Sequence, residues 1–226
     1  MTIPGEDVAA NLERIRDRIA GAGGDLGRVR LVAVSKGVAV DQIEAALTAG
    51  LVDLGESYAQ ELVEKAEALE VSALVEPRWH FIGRLQRNKV RPVAPFVDLW
   101  QSVDRLSLAA EVAHRAPGAA VLVQVNVSGA EQQGGCPPER LAAVVDGCRD
   151  LGLDVRGLMA IAPQGPDDEV RRSFARVSAL ADQLELPERS MGMSGDLELA
   201  VSEGATIVRV GTALFGPRRG PTAVGK

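Results

Sequence analysis

The chain has 226 residues, a formal net charge of −6 and 46% apolar residues. This length fits one large domain or two small ones, and the apolar fraction is sufficient for a sizeable core. Aromatic residues make up only 3% of the chain, so alanine, valine, leucine and isoleucine must fill that core. The interspersed charges argue against a nucleic-acid-binding surface over the whole protein, and the apolar stretches are far shorter than the roughly 20 residues that span a membrane.

The N-terminus and the cysteines predict a cytoplasmic protein. The first 7 residues contain no basic region followed by an apolar run, so we expect no signal peptide. Cys136 and Cys148 are interpreted as free thiols in a reducing compartment. No cysteine and histidine set has metal-ligand spacing, because His80 and His114 are far apart in sequence, and we expect no metal.

The chain begins with an amphipathic pattern, Val8, Leu12, Ile15 and Ile19, that predicts a helix. Strands and helices then alternate. The predicted strands are residues 30–34, 51–54, 78–82, 97–101, 120–127, 155–161, 190–193 and 206–210. The predicted helices between them are residues 41–49, 58–69, 86–90, 104–112, 137–150, 170–184 and 196–203.

Eight strands that alternate with helices favour an α/β fold of the closed (β/α)8 TIM-type barrel over the alternative of an open doubly wound sheet. Only 14 residues follow Thr212, too few for a full eighth outer helix. The first helix is the spare element that could complete the outer ring. Because we find no linker, low-complexity tract or internal repeat, we expect one domain over residues 1–226.

Lys36 closes the apolar strand Leu31-Val32-Ala33-Val34-Ser35-Lys36 and is the most informative residue. A lysine just past a buried strand is held at the rim of a rigid sheet, and burial favours its neutral amine. A neutral amine can attack a carbonyl and form a Schiff base. The alternative is a strand-end lysine that only reaches solvent.

The loops after the last two predicted strands read Gly192-Met193-Ser194-Gly195-Asp196 and Arg209-Val210-Gly211-Thr212. In barrels of this class these loops often bind a phosphate. Glycines let backbone N–H groups approach phosphate oxygens, and Ser194 and Thr212 offer hydroxyl donors. The alternative is that the glycines only make tight turns.

A reactive lysine and a phosphate cradle together indicate a phosphorylated carbonyl compound. Pyridoxal 5′-phosphate (PLP) is the cofactor that needs both, together with a partner for its pyridine nitrogen. Arg209 can be that partner, because a guanidinium keeps its proton and would leave the nitrogen unprotonated. A surface arginine is the alternative for Arg209, and a Schiff-base aldolase without cofactor, which would be colourless, is an alternative function.

Six segments together carry a family signature. They are Val32-Ala33-Val34-Ser35-Lys36, Gly55-Glu56-Ser57-Tyr58, His80-Phe81-Ile82-Gly83-Arg84-Leu85-Gln86-Arg87-Asn88-Lys89, Arg156-Gly157-Leu158-Met159-Ala160-Ile161, Met191-Gly192-Met193-Ser194 and Val208-Arg209-Val210-Gly211-Thr212-Ala213-Leu214-Phe215-Gly216. In this order they resemble the pyridoxal phosphate homeostasis proteins, the YggS/PROSC family. The resemblance covers residues 31–216 and implies a barrel like the N-terminal domain of alanine racemase, of fold-type III.

The resemblance also implies a cofactor site. It implies PLP held as an aldimine on Lys36, with the phosphate at Ser194, Gly211 and Thr212 and the pyridine nitrogen near Arg209. The complete set of expected cofactor-binding residues is Lys36, Ser57, Met159, Ser194, Arg209, Gly211 and Thr212.

Two positions depart from the family pattern. Ser57 stands where the family usually has asparagine, so one cofactor contact is either lost or bridged by water. Gly37 stands where threonine is common, which makes the loop more permissive and removes a hydroxyl. Neither change affects the Schiff base or the phosphate loops.

The expected role is non-catalytic: the protein sequesters PLP and delivers it to apo-enzymes. Related fold-type III enzymes carry an additional β-domain that helps close the active site, whereas this chain stops soon after its last strand. Racemisation needs an acid/base group on each face of the substrate, and Tyr58 and His80 are the only rough candidates beside Lys36. A racemase-like PLP enzyme is therefore the alternative.

The remaining residues receive ordinary interpretations. His80 is expected to be packed or hydrogen-bonded, and Tyr58 to have a packing role. The basic residues from Arg84 to Arg91 are either a solvated face or a docking surface for an acidic partner or a second phosphate-bearing ligand. We expect a monomer without nucleic-acid or membrane partners.

Overall fold

The computed structural model describes residues 4–72, 75–130 and 133–217. Eight parallel strands follow one another in sequence order around a closed barrel, and the last strand pairs with the first. The strands are β1 (Arg30–Val34), β2 (Asp53–Glu56), β3 (Arg78–Phe81), β4 (Val97–Val103), β5 (Ala120–Gln124), β6 (Asp154–Met159), β7 (Glu188–Ser190) and β8 (Ile207–Val210). The predicted TIM-type barrel is confirmed.

Helices surround the barrel. They are α1 (Pro4–Gly21), α2 (Val40–Thr48), α3 (Ala59–Ser72), α4 (Val90–Val93), α5 (Leu106–Arg115), α6 (Leu141–Asp150), α7 (Asp167–Gln183), α8 (Leu197–Ser202) and α9 (Thr212–Phe215), with 3₁₀ turns at Arg87–Lys89 and Pro138–Arg140. Helix α1 packs against α2, α8 and α9. Its apolar face from Val8 to Ile19 is buried, and Asn11 Nδ2 donates a 2.8 Å hydrogen bond to the Leu214 carbonyl. Helix α1 therefore completes the outer ring, as predicted.

Only β1 matches its predicted bounds exactly, and β2 and β7 differ most from theirs. Residues 51–54 were predicted as the second strand, but β2 begins at Asp53 and ends at Glu56. Glu56 is fully buried, which its charge did not lead us to expect. For β7, the predicted residues 190–193 run past the strand, because Gly192 has a left-handed φ of +91° that interrupts extended backbone. Polar residues at the beginning of β7, such as Glu188, hid its true start.

The barrel interior combines an apolar and a polar part. Side chains alternate along each strand, so every second residue points inward. The interior apolar cluster consists of Val32, Leu99, Ala120, Leu122, Met159 and Ile207. Met159 is thus a buried part of the barrel filling. Polar residues are also buried on the strands of the barrel, among them His80, Gln101, Ser190 and Arg209.

Neighbouring loops at the C-terminal end of the barrel pack backbone against backbone. A Cβ atom added at Gly83, after β3, would lie 2.1 Å from the Ser57 carbonyl oxygen after β2. Only glycine permits this approach, which holds Ser57 at the rim of the barrel.

We expect Gly83→Ala to destabilise the fold by about 1–3 kcal/mol, because the added methyl group must displace the Ser57 backbone. Urea unfolding of the purified protein measures this change. Gly21→Ala is the matched control, since a Cβ at Gly21 meets nothing within 4 Å. Equal stability of the two variants would contradict the described approach of the two loops.

Candidate functional site

Strand register brings Lys36, Ser57 and the Gly211–Thr212 segment to neighbouring strand ends. Val34 of β1 is paired with Gly55 of β2, and Ala33 is paired with Val210 of β8. Each of the three segments follows directly after one of these paired strands. Parallel barrels place their active sites at this end. The predicted residues on strands β1, β2 and β8 therefore meet at one mouth.

The residues on both sides of Lys36 are fixed by hydrogen bonds. Ser35 is fully buried; its N–H donates to the Gly55 carbonyl at 2.9 Å and its hydroxyl to Glu56 Oε2 at 2.9 Å. Gly37 adopts a φ of +69°, and its N–H donates to Glu61 Oε1 at 2.6 Å. The backbone that carries Lys36 is consequently set by its neighbours before any ligand binds.

A buried ion pair, Lys65 with Glu56, supports this segment from below. Lys65 Nζ lies 3.0 Å from Glu56 Oε2 and 2.8 Å from Glu61 Oε1, and it donates to the Ser35 carbonyl at 2.5 Å. Burial raises the pKa of Glu56, although the Lys65 charge and hydrogen bond act in the opposite direction. The pair links α3 to the end of β1, next to Lys36.

Sequence reasoning did not identify Lys65 as part of the site. The available signal was the spacing of Glu61 and Lys65, four residues apart on one helix face, which is also typical of an exposed ion pair. Only the structure shows that Lys65 is 6% exposed and turned against the β1 end.

The two predicted phosphate loops contact each other. Ser194 Oγ, in the loop after β7, accepts a 3.2 Å hydrogen bond from the N–H of Ala213, just after β8. The Ser194 carbonyl accepts a 2.9 Å hydrogen bond from Arg18 Nη2 of α1. Within the same loop the Met193 N–H donates to Asp196 Oδ1 at 2.5 Å. The loops are therefore close enough to face a single anion.

Arg209 is buried inside the barrel, and the alternative of a surface arginine is wrong. Its side chain donates from Nη1 to Ser190 Oγ at 2.6 Å and from Nη2 to the Ala160 carbonyl at 2.8 Å. Burial lowers the pKa of Arg209 to about 10, and the nearby Asp196 charge acts in the opposite direction. The guanidinium therefore stays charged at neutral pH.

His80 is buried and hydrogen-bonded, as predicted. Its Nε2 lies 3.0 Å from Asp53 Oδ1, and its Nδ1 lies 2.6 Å from Gln101 Nε2. Tyr58 differs from its prediction: it is 63% exposed, so the packing role was wrong. Its position directly after the strand-end Ser57 turns it away from the barrel core.

Asp53 closes the polar interior at the start of β2. Besides His80, its carboxylate accepts a 2.6 Å hydrogen bond from Arg78 Nη2. Burial favours a raised pKa, but the hydrogen bonds from His80 and Arg78, together with the Arg78 charge, outweigh it and lower the pKa of Asp53.

The two thiols are buried, and the basic residues are exposed to solvent. Cys136 and Cys148 are buried, and burial raises the pKa of each to about 11, so both remain protonated and inert. The basic residues Arg84, Arg87, Lys89 and Arg91 are exposed, which suits a solvated face and a docking surface equally. Over 4–72, 75–130 and 133–217, no cluster of three or more histidine, cysteine or carboxylate side chains could hold a metal ion.

We expect Glu56→Gln to destabilise the protein by roughly 3 kcal/mol, because it leaves the Lys65 charge buried without its most buried partner. Thermal unfolding measures the loss. Glu64→Gln on the exposed face of α3 is the control. A Glu56→Gln protein as stable as the control would show that Lys65 does not depend on this carboxylate.

The lowered pKa of Asp53 predicts how the stability of the protein depends on pH. Because its folded-state pKa lies below the ordinary value of 3.8, its contribution is complete above that value and is lost as pH falls through the folded-state pKa. Asp53→Asn should cost about 1–3 kcal/mol at neutral pH and progressively less as the pH falls below the ordinary value of 3.8. Urea unfolding across this range measures the difference. Asp154→Asn, at a half-exposed ion pair, is the control; a penalty for Asp53→Asn that does not change with pH would contradict the assignment.

Comparisons with known proteins agree with this architecture. The family described as the N-terminal domain of alanine racemase matches residues 4–219. Alanine racemase from Corynebacterium glutamicum shares the fold at 16% identity, with a TM-score of 0.68 over 98% of this chain and 63% of that one. In the described part of the chain, no helix combines the length and apolar character needed to cross a membrane.

More similar relatives align over nearly their whole length. The pyridoxal phosphate homeostasis protein of Pseudomonas aeruginosa is 42% identical over 96% of this chain and 97% of its own. That of Deinococcus radiodurans is 45% identical over 92% of this chain and 99% of its own. PipY from Synechococcus elongatus, solved with PLP bound, is 35% identical, with a TM-score of 0.82 over 92% of this chain and all of that one. This chain belongs to the family of pyridoxal phosphate homeostasis proteins.

Proposed function

We propose that this protein binds PLP through a covalent bond to Lys36, limits the free aldehyde and delivers the cofactor to apo-enzymes. The observation that carries the proposal is the meeting, at one barrel mouth, of Lys36 on a fixed backbone, two contacting phosphate loops and the buried charge of Arg209. The names of the relatives and the PLP bound to PipY support it. We place this function in the cytoplasm and in a monomer.

The phosphate would be held by Ser194, Gly211 and Thr212. Since Ser194 Oγ already accepts a hydrogen bond from the Ala213 N–H, its own hydrogen remains to be donated to a phosphate oxygen. Thr212 is exposed at the start of α9, and Gly211 presents no side chain there. This donor set fits a dianionic phosphate ester.

Arg209 would face the pyridine nitrogen. The bonds to Ser190 and Ala160 engage two of the five guanidinium N–H groups, so donors remain for a ligand. Bound PLP supplies an electron-withdrawing ring, which withdraws most strongly when its nitrogen is protonated. A charged arginine donates to that nitrogen without protonating it, which suits storage of the cofactor better than carbanion chemistry. Ser57 at the rim and Met159 beneath the mouth complete the proposed site.

The arrangement of His80 favours a carrier over an enzyme. Both ring nitrogens of His80 are occupied inside the barrel, by Asp53 and Gln101, which leaves neither free for substrate. Tyr58 is exposed after β2 and is the remaining acid/base candidate for the alternative, a racemase-like enzyme.

Reduction with borohydride tests the covalent bond. We expect the purified yellow protein to gain the mass of reduced PLP on Lys36 and Lys36→Ala to gain none, whereas the exposed control Lys89→Ala behaves as wild type. Labelling of another lysine, or a colourless protein with PLP added, would contradict the proposal. Turnover of amino acids at ordinary enzyme rates would instead favour the racemase-like alternative.

Removal of the phosphate donors should weaken cofactor retention. Ser194→Ala and Thr212→Val each remove one hydroxyl, and each should weaken PLP binding by about 1–3 kcal/mol. Equilibrium dialysis against PLP measures the affinity, and Thr48→Val, on an exposed part of α2, is the control. An unchanged affinity in both variants would place the phosphate elsewhere.

A further inference from the structure

A continuous chain of buried hydrogen bonds crosses the barrel interior from Arg209 to Asp53. Arg209 Nη1 lies 2.6 Å from Ser190 Oγ, and Ser190 Oγ lies 2.6 Å from Gln101 Oε1. Gln101 Nε2 lies 2.6 Å from His80 Nδ1, and His80 Nε2 lies 3.0 Å from Asp53 Oδ1. All five residues are at most 6% exposed. The chain spans strands β8, β7, β4, β3 and β2.

The chemistry of the two ends gives the chain one direction. The Arg209 guanidinium can only donate, so Ser190 Oγ accepts from it and directs its single hydrogen to Gln101 Oε1. The Gln101 amide then presents its N–H to His80 Nδ1, which must accept. His80 therefore carries its proton on Nε2 and donates it to the Asp53 carboxylate, which can only accept. Every donor points from the cation to the anion.

A chain of this kind holds its members more firmly than separate pairs would. Hydrogen bonds aligned in one direction polarise one another, and burial shields these groups from bulk water. If one side chain of the chain is removed, the next polar group loses its hydrogen-bond partner while it stays buried, which destabilises the protein. A change at Gln101, which does not touch Arg209, should consequently be felt at Arg209.

We infer that Gln101 and His80 are positioning residues for Arg209, and that through Ser190 they fix the direction in which its guanidinium faces the mouth. The inference rests on the proposed function, since the group that Arg209 would face is the pyridine nitrogen of PLP. The Ala160 carbonyl fixes the second nitrogen of the same guanidinium, so only the Ser190 side depends on the chain.

The chain can be tested without cofactor. The protein contains two histidines, His80 and the exposed His114, so the imidazole region of a ¹⁵N–¹H correlation spectrum is simple. We expect the His80 ring to show the signals of an imidazole with a single proton on Nε2. These signals are assigned to His80 because they disappear in His80→Phe. A His80 proton on Nδ1, or on both nitrogens, at neutral pH would overturn the inference whether or not the protein binds PLP.

The coupling to Arg209 can be tested with PLP. Gln101→Leu should weaken PLP binding about fivefold, equivalent to one lost hydrogen bond, and shift the absorption maximum of the bound cofactor. In an Arg209→Gln background the same substitution should have no further effect on either quantity, because Arg209 is the residue it acts through. Ser190→Ala should behave like Gln101→Leu, and Ser173→Ala on α7 is the matched control.

The outcomes separate this inference from the proposed function. An equal effect of Gln101→Leu in both backgrounds, or no effect in wild type, would overturn the positioning role. Absence of PLP binding by the wild-type protein would overturn the proposed function, and the histidine spectrum would still decide on the chain. If Gln101→Leu does not fold, the same cycle with Ser190→Ala decides.

Discussion

The buried charge of Arg209 is the constraint around which the interior of this barrel is organised. A guanidinium cannot lose its proton under ordinary conditions, and burial without partners would cost several kcal/mol. The structure satisfies it with a carbonyl on one nitrogen and a serine hydroxyl on another. The serine in turn is hydrogen-bonded to Gln101, Gln101 to His80, and His80 to the Asp53 carboxylate. These polar groups lie in an interior that a closed barrel otherwise fills with apolar side chains.

The second organising feature is the support beneath Lys36. A long lysine side chain is flexible, and its position is only as well defined as the backbone that carries it. Here the residues before and after it are bonded to Glu56 and Glu61, which in turn share Lys65. Lys65 thus acts structurally, as a buried counter-charge, so that the neighbouring segment can present Lys36 at the mouth.

Much of the fold was predictable because its signals are local. The 3.6-residue period of apolar residues predicts helix α1, and apolar runs predict strands β1 and β5. The alternation of strands and helices predicts the closed barrel. The bounds of β2 and β7 were not predictable, since Glu56 and Glu188 are charged residues of the kind usually found at the surface, and neither is exposed in the fold. Lys36, Ser194 and Arg209 could be predicted as site residues from strand ends and loop composition. Lys65, Gln101 and Ser190 were not, because their roles depend on neighbours distant in sequence.

We propose that PLP is held on Lys36 and that its ring nitrogen accepts a hydrogen bond from the charged Arg209. The ¹⁵N chemical shift of the ring nitrogen, measured in protein loaded with ¹⁵N-labelled PLP at neutral pH, tests this claim most directly. The account predicts the shift of an unprotonated, hydrogen-bonded pyridine nitrogen, which changes in Arg209→Gln. The shift of a pyridinium, or one indifferent to Arg209, would contradict it.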